Sequence, residues 1–302
     1  MSVPSRYRVC VVGLGSMGMG AALSCLRAGL ATSGIDLDAG RRDAFKAQGA
    51  EGVADGVAGL GGDFDAVIVL VVNGAQARQV ILGQGGVADR IAPGGAIMVS
   101  CTQSADDARA LGADLQARGI LMLDAPVSGG AAKAAQGAMT VMASGPDAAF
   151  DALAPVLEAV AAKTYRIGPD IGQGATVKVI HQLLAGVHIA VGAEAMALAA
   201  RAGIPLDTMY DVVTNAAGNS WMFENRMKHV VDGDYTPTSA VDIFVKDLGL
   251  VTETGRTLGF PLPLASTAFA MFQQASNMGH GREDDSAVIK TFSGITLPEG
   301  KA

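Results

Sequence analysis

The sequence predicts an α/β fold, with a Rossmann-type N-terminal domain followed by an all-α C-terminal domain. Two observations support this prediction. Over roughly the first 170 residues, short apolar runs of strand length alternate with helical patterns, which is typical of a doubly wound, mostly parallel sheet. After Gly172 the strand patterns stop, and helical patterns continue to about Phe292.

The apolar runs of the first half match parallel strands that are covered on both faces. A first helix is predicted from Ser16 to about Ala28, directly after the first strand. The predicted strands are Tyr7–Val12, a run ending near Asp36, Asp65–Val72, Gly95–Thr102, Leu121–Val127, Ala138–Ser144 and Lys163–Gly168.

The predicted domain boundary lies near Gly168–Gly174, which divides the chain into residues 1–170 and 171–302. A long apolar helix, Gly174–Gly203, opens the second domain. It is long enough to span a bilayer, but Lys178, two histidines and Glu194 within it would be costly in lipid. We therefore expect a helix of a water-soluble domain, with no membrane partner.

Composition excludes several classes of function. The chain has 302 residues, a net charge of -7 and scattered basic residues, so no basic stripe is available to bind nucleic acid. Its three cysteines lack CxxC spacing, which argues against a disulfide framework and favours the cytoplasm. No HxxxH motif or His/Cys cluster indicates a metal site.

A glycine-rich turn between the first strand and the first helix predicts a dinucleotide site. Gly13, Gly15 and Gly18 match G-x-G-x-x-G, with Ser16 and Met17 at the start of the helix. In this motif the first glycine allows the tight turn, the second lets backbone N–H groups approach a pyrophosphate, and the third allows close helix–strand packing. The helix N-terminus adds positive potential.

Asp36 ends the second strand, about 20 residues after the glycines, where a carboxylate can bind a ribose diol. It would repel a 2′-phosphate. Arg41 and Arg42 fall further along, on the next helix, so we expect no arginine beside Asp36 and predict NAD rather than NADP. The alternative is that Asp36 only caps the following helix, a role that Asp38 could fill.

The carboxyl ends of the other strands should complete the cofactor cleft. Val72, Asn73 and Thr102 lie at or just after the ends of predicted strands and are candidates to line its far side. Each could equally belong to an ordinary strand-to-helix turn.

The segment DAPVSGG, residues 124–130, predicts an anion site at the end of another strand. Ser128 supplies a hydroxyl group, and Gly129 and Gly130 expose backbone N–H groups that can bind a carboxylate. The alternative is a structural Gly-Gly turn.

The long helix places Lys178 and Gln182 on one face, with His181 beside them. A buried lysine with a lowered pKa could accept the proton of a substrate hydroxyl while hydride leaves. A snorkelling lysine at a helix start is the alternative.

Together these motifs resemble the β-hydroxyacid dehydrogenase family, over nearly the whole chain. The matching segments are GLGSMGMGAA, DAPVSGG, GQGATVKVIHQ and KDLGL. The resemblance implies NAD-dependent hydride transfer in a cleft between the two domains. It places the catalytic lysine at Lys178, the carboxylate-binding segment at Ser128–Gly130 and a lysine that closes over the cofactor at Lys246. It also implies a homodimer or homotetramer.

The sequence departs from the family beside the catalytic lysine. Members usually have an asparagine one turn later, where this chain has His181 and Gln182. Both can bind a hydroxyl group, which predicts a polyhydroxylated substrate rather than an apolar-tailed acid. The resemblance implies that this substrate is a four-carbon sugar acid. The resemblance also suggests that Trp221 and Phe223 line the pocket, although each could instead pack in the core of a helix start.

Other functions remain possible from the sequence alone. Another activity of the same family, such as oxidation of 3-hydroxyisobutyrate or reduction of tartronate semialdehyde, would use the same groups. A non-catalytic dinucleotide-binding regulator could keep the fold without the chemistry. A Schiff-base enzyme would use Lys178 as a nucleophile.

Overall fold

The structure, a computed structural model, describes residues 7–300. The chain divides into two compact units, of which the first ends at Lys178 and the second begins at Val179. The predicted boundary at residue 170 lies just before a long helix, Gln173–Arg201. The division falls inside this helix because its first turn is hydrogen-bonded to residues of the sheet unit.

Nine strands form one sheet in the part of the first unit that the structure describes. They are β1 (Arg8–Val12), β2 (Ala31–Ile35), β3 (Gly52–Ala54), β4 (Phe64–Val69), β5 (Ile91–Val99), β6 (Leu121–Asp124), β7 (Val127–Ser128), β8 (Met139–Ser144) and β9 (Ala161–Gly168).

Six strands are parallel in the order β3-β2-β1-β4-β5-β6. The sheet continues with β8, which is antiparallel to β6 and β7 and parallel to β9. The chain order reverses between β1 and β4, and ligands of such sheets bind at the carboxyl ends of strands beside this reversal. This topology confirms the predicted Rossmann-type class.

Alternate residues of the central strands face two separate cores. Val9 and Val11 of β1 pack in one core, while Cys10 and Val12 pack in the other. This alternation is the two-residue period of a strand covered on both faces. All three cysteines are buried and form no disulfide.

Two strands differ from the prediction. The short edge strand β3 was not predicted, since it has three residues and only Ala54 is buried. The predicted strand Leu121–Val127 is two strands, because the chain turns at Ala125–Pro126 and β7 then pairs antiparallel with β8.

Helices cover both faces of the sheet and make up most of the second unit. They are α1 (Ser16–Arg27), α2 (Ala39–Ala47), α3 (Gly74–Leu82), α4 (Ala105–Ala117), α5 (Gly130–Ala135), α6 (Asp147–Ala152), α7 (Ala154–Val160), α8 (Gln173–Arg201), α9 (Leu206–Thr214), α10 (Trp221–Asp232), α11 (Val241–Thr257) and α12 (Pro263–Ala275). Two further helical turns, Ser276–His280 and Asp285–Thr291, follow α12.

The second unit has its own core around the later part of α8. Ile189, Ala193 and Met196 of this helix are fully buried there among side chains of α10, α11 and α12. Among the described residues, α8 is the one helix long and apolar enough to cross a membrane, and half of its most apolar window is buried within the protein. Burial of this kind is typical of a core helix.

Candidate active site

The glycine turn after β1 has the geometry of a dinucleotide-binding loop. Gly13 has a φ of +90°, and a Cβ there would lie 2.4 Å from the carbonyl oxygen of Leu70, just after β4. A Cβ on Gly18 would lie 1.7 Å from the carbonyl oxygen of Gly13, so α1 packs directly against the turn. Only glycine fits at these two positions.

The N-terminus of α1 is open for a pyrophosphate. Gly15 is its N-cap residue, and no side chain caps the helix. The first-turn N–H groups, at Ser16 and Met17 among others, have no partner within the helix and can bind phosphate oxygens. The loop therefore fits the dinucleotide that its sequence predicts.

Asp36 is held against this loop by backbone hydrogen bonds. Its Oδ2 accepts a hydrogen bond from the Leu14 N–H at 2.7 Å, and its Oδ1 accepts one from the Asp38 N–H at 2.9 Å. Asp38, not Asp36, caps α2 by accepting from the Arg41 N–H. The carboxylate of Asp36 therefore lies at the loop, where a ribose diol would be expected.

The expectation that no arginine stands beside Asp36 is wrong. Nη1 of Arg41 lies 3.6 Å from Oδ2 of Asp36, because the first turn of α2 brings Arg41 back over the glycine loop. The same nitrogen is 4.0 Å from where a Cβ on Gly15 would lie. Arg42 instead donates hydrogen bonds to the carbonyl oxygens of Asp36 and Leu37.

The turns after β4 and β5 have structural roles of their own. Asn73 is the N-cap residue of α3 and accepts a hydrogen bond from the Gln76 N–H, while the Val72 N–H donates to the Gln76 side chain. Thr102, after β5, is half-buried between Cys101 and Gln103. Contact of Val72, Asn73 and Thr102 with the cofactor stays a prediction.

The predicted carboxylate site lies at the junction of β7 and α5. Ser128 ends β7, and Gly129 and Gly130 follow with φ values of +132° and +68°. Two consecutive residues of positive φ turn the backbone sharply here, and successive N–H groups of such turns can bind anions. A Cβ on Gly129 would also lie 2.8 Å from the Cβ of Lys133.

Asp124, which begins the DAPVSGG segment, fixes the start of α8. Its Oδ2 accepts hydrogen bonds from the N–H groups of Gly172 at 3.0 Å and Ala175 at 2.8 Å. The hydroxyl of Ser144 accepts from the Gly174 N–H at 2.9 Å. These buried acceptors satisfy N–H groups that a helix start leaves without partners.

Asp124 is fully buried, and this burial raises the pKa of its carboxyl to about 6. The hydrogen bonds from Ala175, Gly172 and Ser144 and the charge of Arg109 oppose the increase. No local pattern in the sequence indicates this role of Asp124, because its helix partners lie 48 and 51 residues further along the chain.

Lys178 lies in the second turn of α8, just beyond this anchored start, and its exposed fraction is 7%. The side chain is therefore mostly buried, unlike a lysine that reaches into solvent from a helix end.

One turn later, a chain of hydrogen bonds begins on the same face of α8. Gln182 donates from Nε2 to Oδ2 of Asp247 at 2.5 Å, and its Oε1 lies 3.0 Å from Nδ1 of His181. Lys246 contacts the other oxygen of Asp247. Gln182 and Asp247 are both buried. Asp247, part of the KDLGL motif, was not assigned a role from the sequence.

The two aromatic residues predicted to line the pocket, Trp221 and Phe223, differ in burial. Phe223 is not at a surface: it is buried in the core of the second unit and stacks on Tyr210 with ring centroids 6.1 Å apart. This packing is what the alternative expects, and contact of Phe223 with substrate stays a prediction. Trp221 is half-exposed in a surface groove beside Tyr210 and Glu224. Its contact with substrate stays a prediction.

Comparison with known proteins decides the family. A model of the NAD-binding domain of 6-phosphogluconate dehydrogenase matches residues 8–168, and a model described as NAD-binding of NADP-dependent 3-hydroxyisobutyrate dehydrogenase matches residues 172–292. The chain is 67% identical over its full length to L-threonate dehydrogenase of Escherichia coli O6:H1, all of which it covers. The chain belongs to the β-hydroxyacid dehydrogenase family.

Two further relatives of this family show how closely the fold is matched. L-threonate dehydrogenase of Haemophilus influenzae is 64% identical over 97% of this chain and 98% of its own length. The crystal structure of a 3-hydroxyisobutyrate dehydrogenase from Salmonella typhimurium is 66% identical, with a TM-score of 0.91 over 95% of this chain and all of that one.

Membership of the β-hydroxyacid dehydrogenases makes the chain an NAD-dependent dehydrogenase that acts on the CH–OH group of a small hydroxy acid. It also argues against the alternative of a non-catalytic dinucleotide-binding regulator. Among residues 7–300, no three His, Cys, Asp or Glu side chains cluster so as to hold a metal ion. The relatives carry names with two different substrates, L-threonate and 3-hydroxyisobutyrate.

Proposed function

We propose that this dehydrogenase oxidises L-threonate to 2-dehydro-L-erythronate, with NAD as oxidant and Lys178 as general base. Two observations support this substrate. Relatives that are 64–67% identical over almost the full chain are named L-threonate dehydrogenase. In addition, the face of α8 that follows Lys178 presents His181 and Gln182, which are polar groups suited to a hydroxylated acid.

The substrate carboxylate would bind at the turn between β7 and α5. The hydroxyl of Ser128 and the N–H groups of Gly129 and Gly130 are hydrogen-bond donors that suit a carboxylate. Their positions are fixed by the positive φ values of the two glycines. This subsite orients the acid without taking part in the chemical step.

The chemical step needs one proton acceptor from the protein. In neutral form, the Nζ of Lys178 takes the proton of the C2 hydroxyl group while the hydrogen on C2 leaves as hydride, so that a C2 carbonyl forms. Bound NAD supplies the nicotinamide C4 that receives the hydride. In the reverse direction the ammonium form of Lys178 returns the proton to the carbonyl oxygen.

A single observation supports the joint use of these groups. Asp124, four residues before Ser128, accepts hydrogen bonds from the first turn of α8, and Lys178 lies in the next turn. The carboxylate-binding segment and the helix of the general base are thus tied by one buried side chain. A displacement of either would disturb the other.

A panel of hydroxy acids tests this proposal. L-threonate, D-erythronate, D-glycerate and 3-hydroxyisobutyrate would each be incubated with the enzyme and NAD, and NADH absorbance followed. We expect the highest kcat/KM with L-threonate, and NMR of the product should show a carbonyl carbon at C2. Preference for 3-hydroxyisobutyrate would contradict the proposal. It would instead favour 3-hydroxyisobutyrate dehydrogenase activity, the activity for which the Salmonella relative is named.

The proposed enzyme is a homodimer or homotetramer. Four exposed apolar side chains follow one side of α8 at spacings of four and seven residues, which is suited to pairing with another apolar surface. They are Ile180, Leu184, Val191 and Leu198. Light scattering would give the number of subunits, and a monomer would contradict the proposal. A cytoplasmic location stays a prediction.

A further inference from the structure

The chain of hydrogen bonds in the second unit ends at an imidazole whose two nitrogens have different roles. The chain of hydrogen bonds starts at Asp247, whose side chain is held in place by burial. The carboxylate has an exposed fraction of 2% and lies on α11 between the core residues Phe244 and Leu248. A carboxylate only accepts hydrogen bonds, so the group that faces it has to donate.

This requirement sets the orientation of the Gln182 amide. Its nitrogen faces Oδ2 of Asp247 at 2.5 Å, and its oxygen consequently points to His181. A close approach of the two helices permits this contact: at Gly186, one turn after Gln182, a Cβ would lie 2.9 Å from the Leu248 side chain. With its nitrogen facing Asp247 and its oxygen facing His181, the Gln182 amide links these two side chains.

The amide oxygen then selects the tautomer of His181. It is 3.0 Å from Nδ1, and two acceptors at this distance would repel each other, so Nδ1 has to carry the proton. In a neutral ring the proton on Nδ1 leaves a lone pair on Nε2. Enzymes fix the orientation and tautomer of histidines through such supporting hydrogen bonds.

We propose that Asp247 and Gln182 hold His181 as the Nδ1–H tautomer, so that its Nε2 accepts a hydrogen bond from the substrate hydroxyl adjacent to the one oxidised. His181 would thereby determine specificity for acids with two neighbouring hydroxyl groups. This inference rests on the proposed function of Lys178, which lies three residues earlier on α8. Asp247 and Gln182 are positioning residues.

The chemistry gives His181 a way to reject simpler acids. A substrate hydroxyl can donate to Nε2, whereas a methyl or methylene group cannot. Sites built to bind a hydroxyl group discriminate strongly against analogues that lack it. Specificity would therefore arise from a missing donor as much as from a favourable contact.

The kinetic test compares L-threonate with 2,4-dihydroxybutanoate, which lacks the C3 hydroxyl group. We expect the wild-type enzyme to prefer L-threonate in kcat/KM by at least roughly a hundredfold. His181→Leu should reduce this preference to within a few-fold, mainly through a loss with L-threonate. Gln182→Met, which cannot orient the ring, should reduce it by roughly tenfold.

His188→Leu is the matched control, since His188 lies seven residues further along the same helix and is also half-buried. This variant should keep the wild-type preference. If His181→Leu retains the preference as well, the proposal is wrong.

A spectroscopic measurement tests the tautomer independently of turnover. With ¹⁵N-labelled histidine, the ring nitrogens of His181, assigned by their loss in His181→Leu, should show a protonated Nδ1 and an unprotonated Nε2. Asp247→Asn keeps an acceptor for Gln182 and should keep this tautomer, whereas Gln182→Met should lose it. A proton on Nε2 in the wild type would overturn the proposal.

The two experiments separate this inference from the proposed function. If the wild-type enzyme oxidises no sugar acid, the proposed function fails. The ¹⁵N spectrum of the His181 ring still tests whether the hydrogen bonds from Asp247 through Gln182 fix its tautomer. If it oxidises L-threonate but His181→Leu leaves the preference intact, only the specificity role of His181 fails.

Discussion

Two buried carboxylates contact the same helix, α8, but one fixes the backbone of the helix and the other fixes a side chain. Asp124 accepts hydrogen bonds from backbone N–H groups of the first turn, so it determines where the helix begins. Asp247 accepts from the side chain of Gln182, so it determines the orientation of an amide and, through it, of His181. The hydrogen bonds to Asp124, the backbone anchor, therefore set the position of the helix start. The hydrogen bonds from Asp247 through Gln182 to His181, the side-chain relay, set which atoms of these side chains donate and which accept.

The largest effect should come from Lys178, which lies between these two contacts in the sequence of α8. We expect Lys178→Met to lower kcat by roughly a thousandfold or more, because it removes the general base, while the affinity for NAD is retained. Stopped-flow or steady-state NADH formation, with NAD binding by calorimetry, would check this. Turnover close to that of wild type would refute the role.

Lys178 also distinguishes the dehydrogenase from a Schiff-base enzyme. Treatment with borohydride in the presence of the keto acid product should leave the mass of the protein unchanged. A trapped adduct on Lys178 would favour the nucleophilic alternative.

Removal of the backbone anchor should have the next largest effect. Asp124→Ala leaves the N–H groups of Gly172 and Ala175 without their acceptor, and we expect kcat to fall by roughly a hundredfold with little change in NAD affinity. Asp124→Asn keeps an acceptor oxygen and should recover most of this loss. Equal kcat values in the two variants would contradict a positioning role.

The raised pKa of Asp124 makes the free energy of unfolding depend on pH. Its pKa is raised by burial to about 6, so between about pH 4 and pH 6 the folded protein holds a proton that the unfolded chain has released. The free energy of unfolding should therefore decrease as pH rises through this window, by roughly 3 kcal/mol from this group. Urea denaturation of Asp124→Asn should lack this component.

A third carboxylate, that of Asp36, resembles Asp124 in accepting hydrogen bonds from backbone N–H groups. Both oxygens of Asp36 accept such bonds. It differs in having Arg41 at 3.6 Å. Asp36→Ala should raise the ratio of NADP to NAD use by roughly tenfold or more, since the like-charge repulsion of a 2′-phosphate disappears and Arg41 becomes available to bind it.

The double variant Asp36→Ala/Arg41→Ala is the control for this prediction. It should lose much of the gain with NADP while keeping the loss with NAD. Kinetics with both cofactors at saturating substrate would check this, and an unchanged ratio in Asp36→Ala would mean that the carboxylate does not contact the ribose.

The smallest effect should follow from the spacing of α8 and α11, on which the relay depends and the anchor does not. Gly186→Ala places a Cβ 2.9 Å from Leu248, and we expect a loss of about 1–2 kcal/mol in stability and a few-fold loss of substrate preference. Gly249→Ala, whose nearest contact would be 3.8 Å away, should instead be neutral or stabilising. Urea denaturation of both variants would check the signs.

The sequence predicted the fold well because local patterns report it directly. A buried parallel strand is a continuous apolar run, and the turn after β1 requires glycine at positions that no other residue can occupy. The edge strand β3 escaped prediction because three residues, of which only Ala54 is buried, have no recognisable period. The break at Ala125–Pro126 depends on pairing with β8, which a local pattern does not contain.

The candidate site was harder to predict wherever partners are distant in the chain. Gln182 and Asp247 are 65 residues apart, and nothing local to either residue indicates the other. Arg41 was excluded because it follows Asp36 on the next helix, yet a single helical turn brings it back. Phe223 has the same sequence context as an exposed helix start, and only the packing on Gly192 and Met227 reveals a core residue.

The length of α8 has a consequence for protein engineering. Its first turn is fixed by Asp124, and its later turns are fixed by the burial of Ile189, Ala193 and Met196. Insertion or deletion of one residue between these fixed points would rotate one end against the other by about 100°. The fold should therefore tolerate substitutions along this stretch far better than any change in its length, and a search for new substrates should vary side chains other than Lys178 while keeping the residue count.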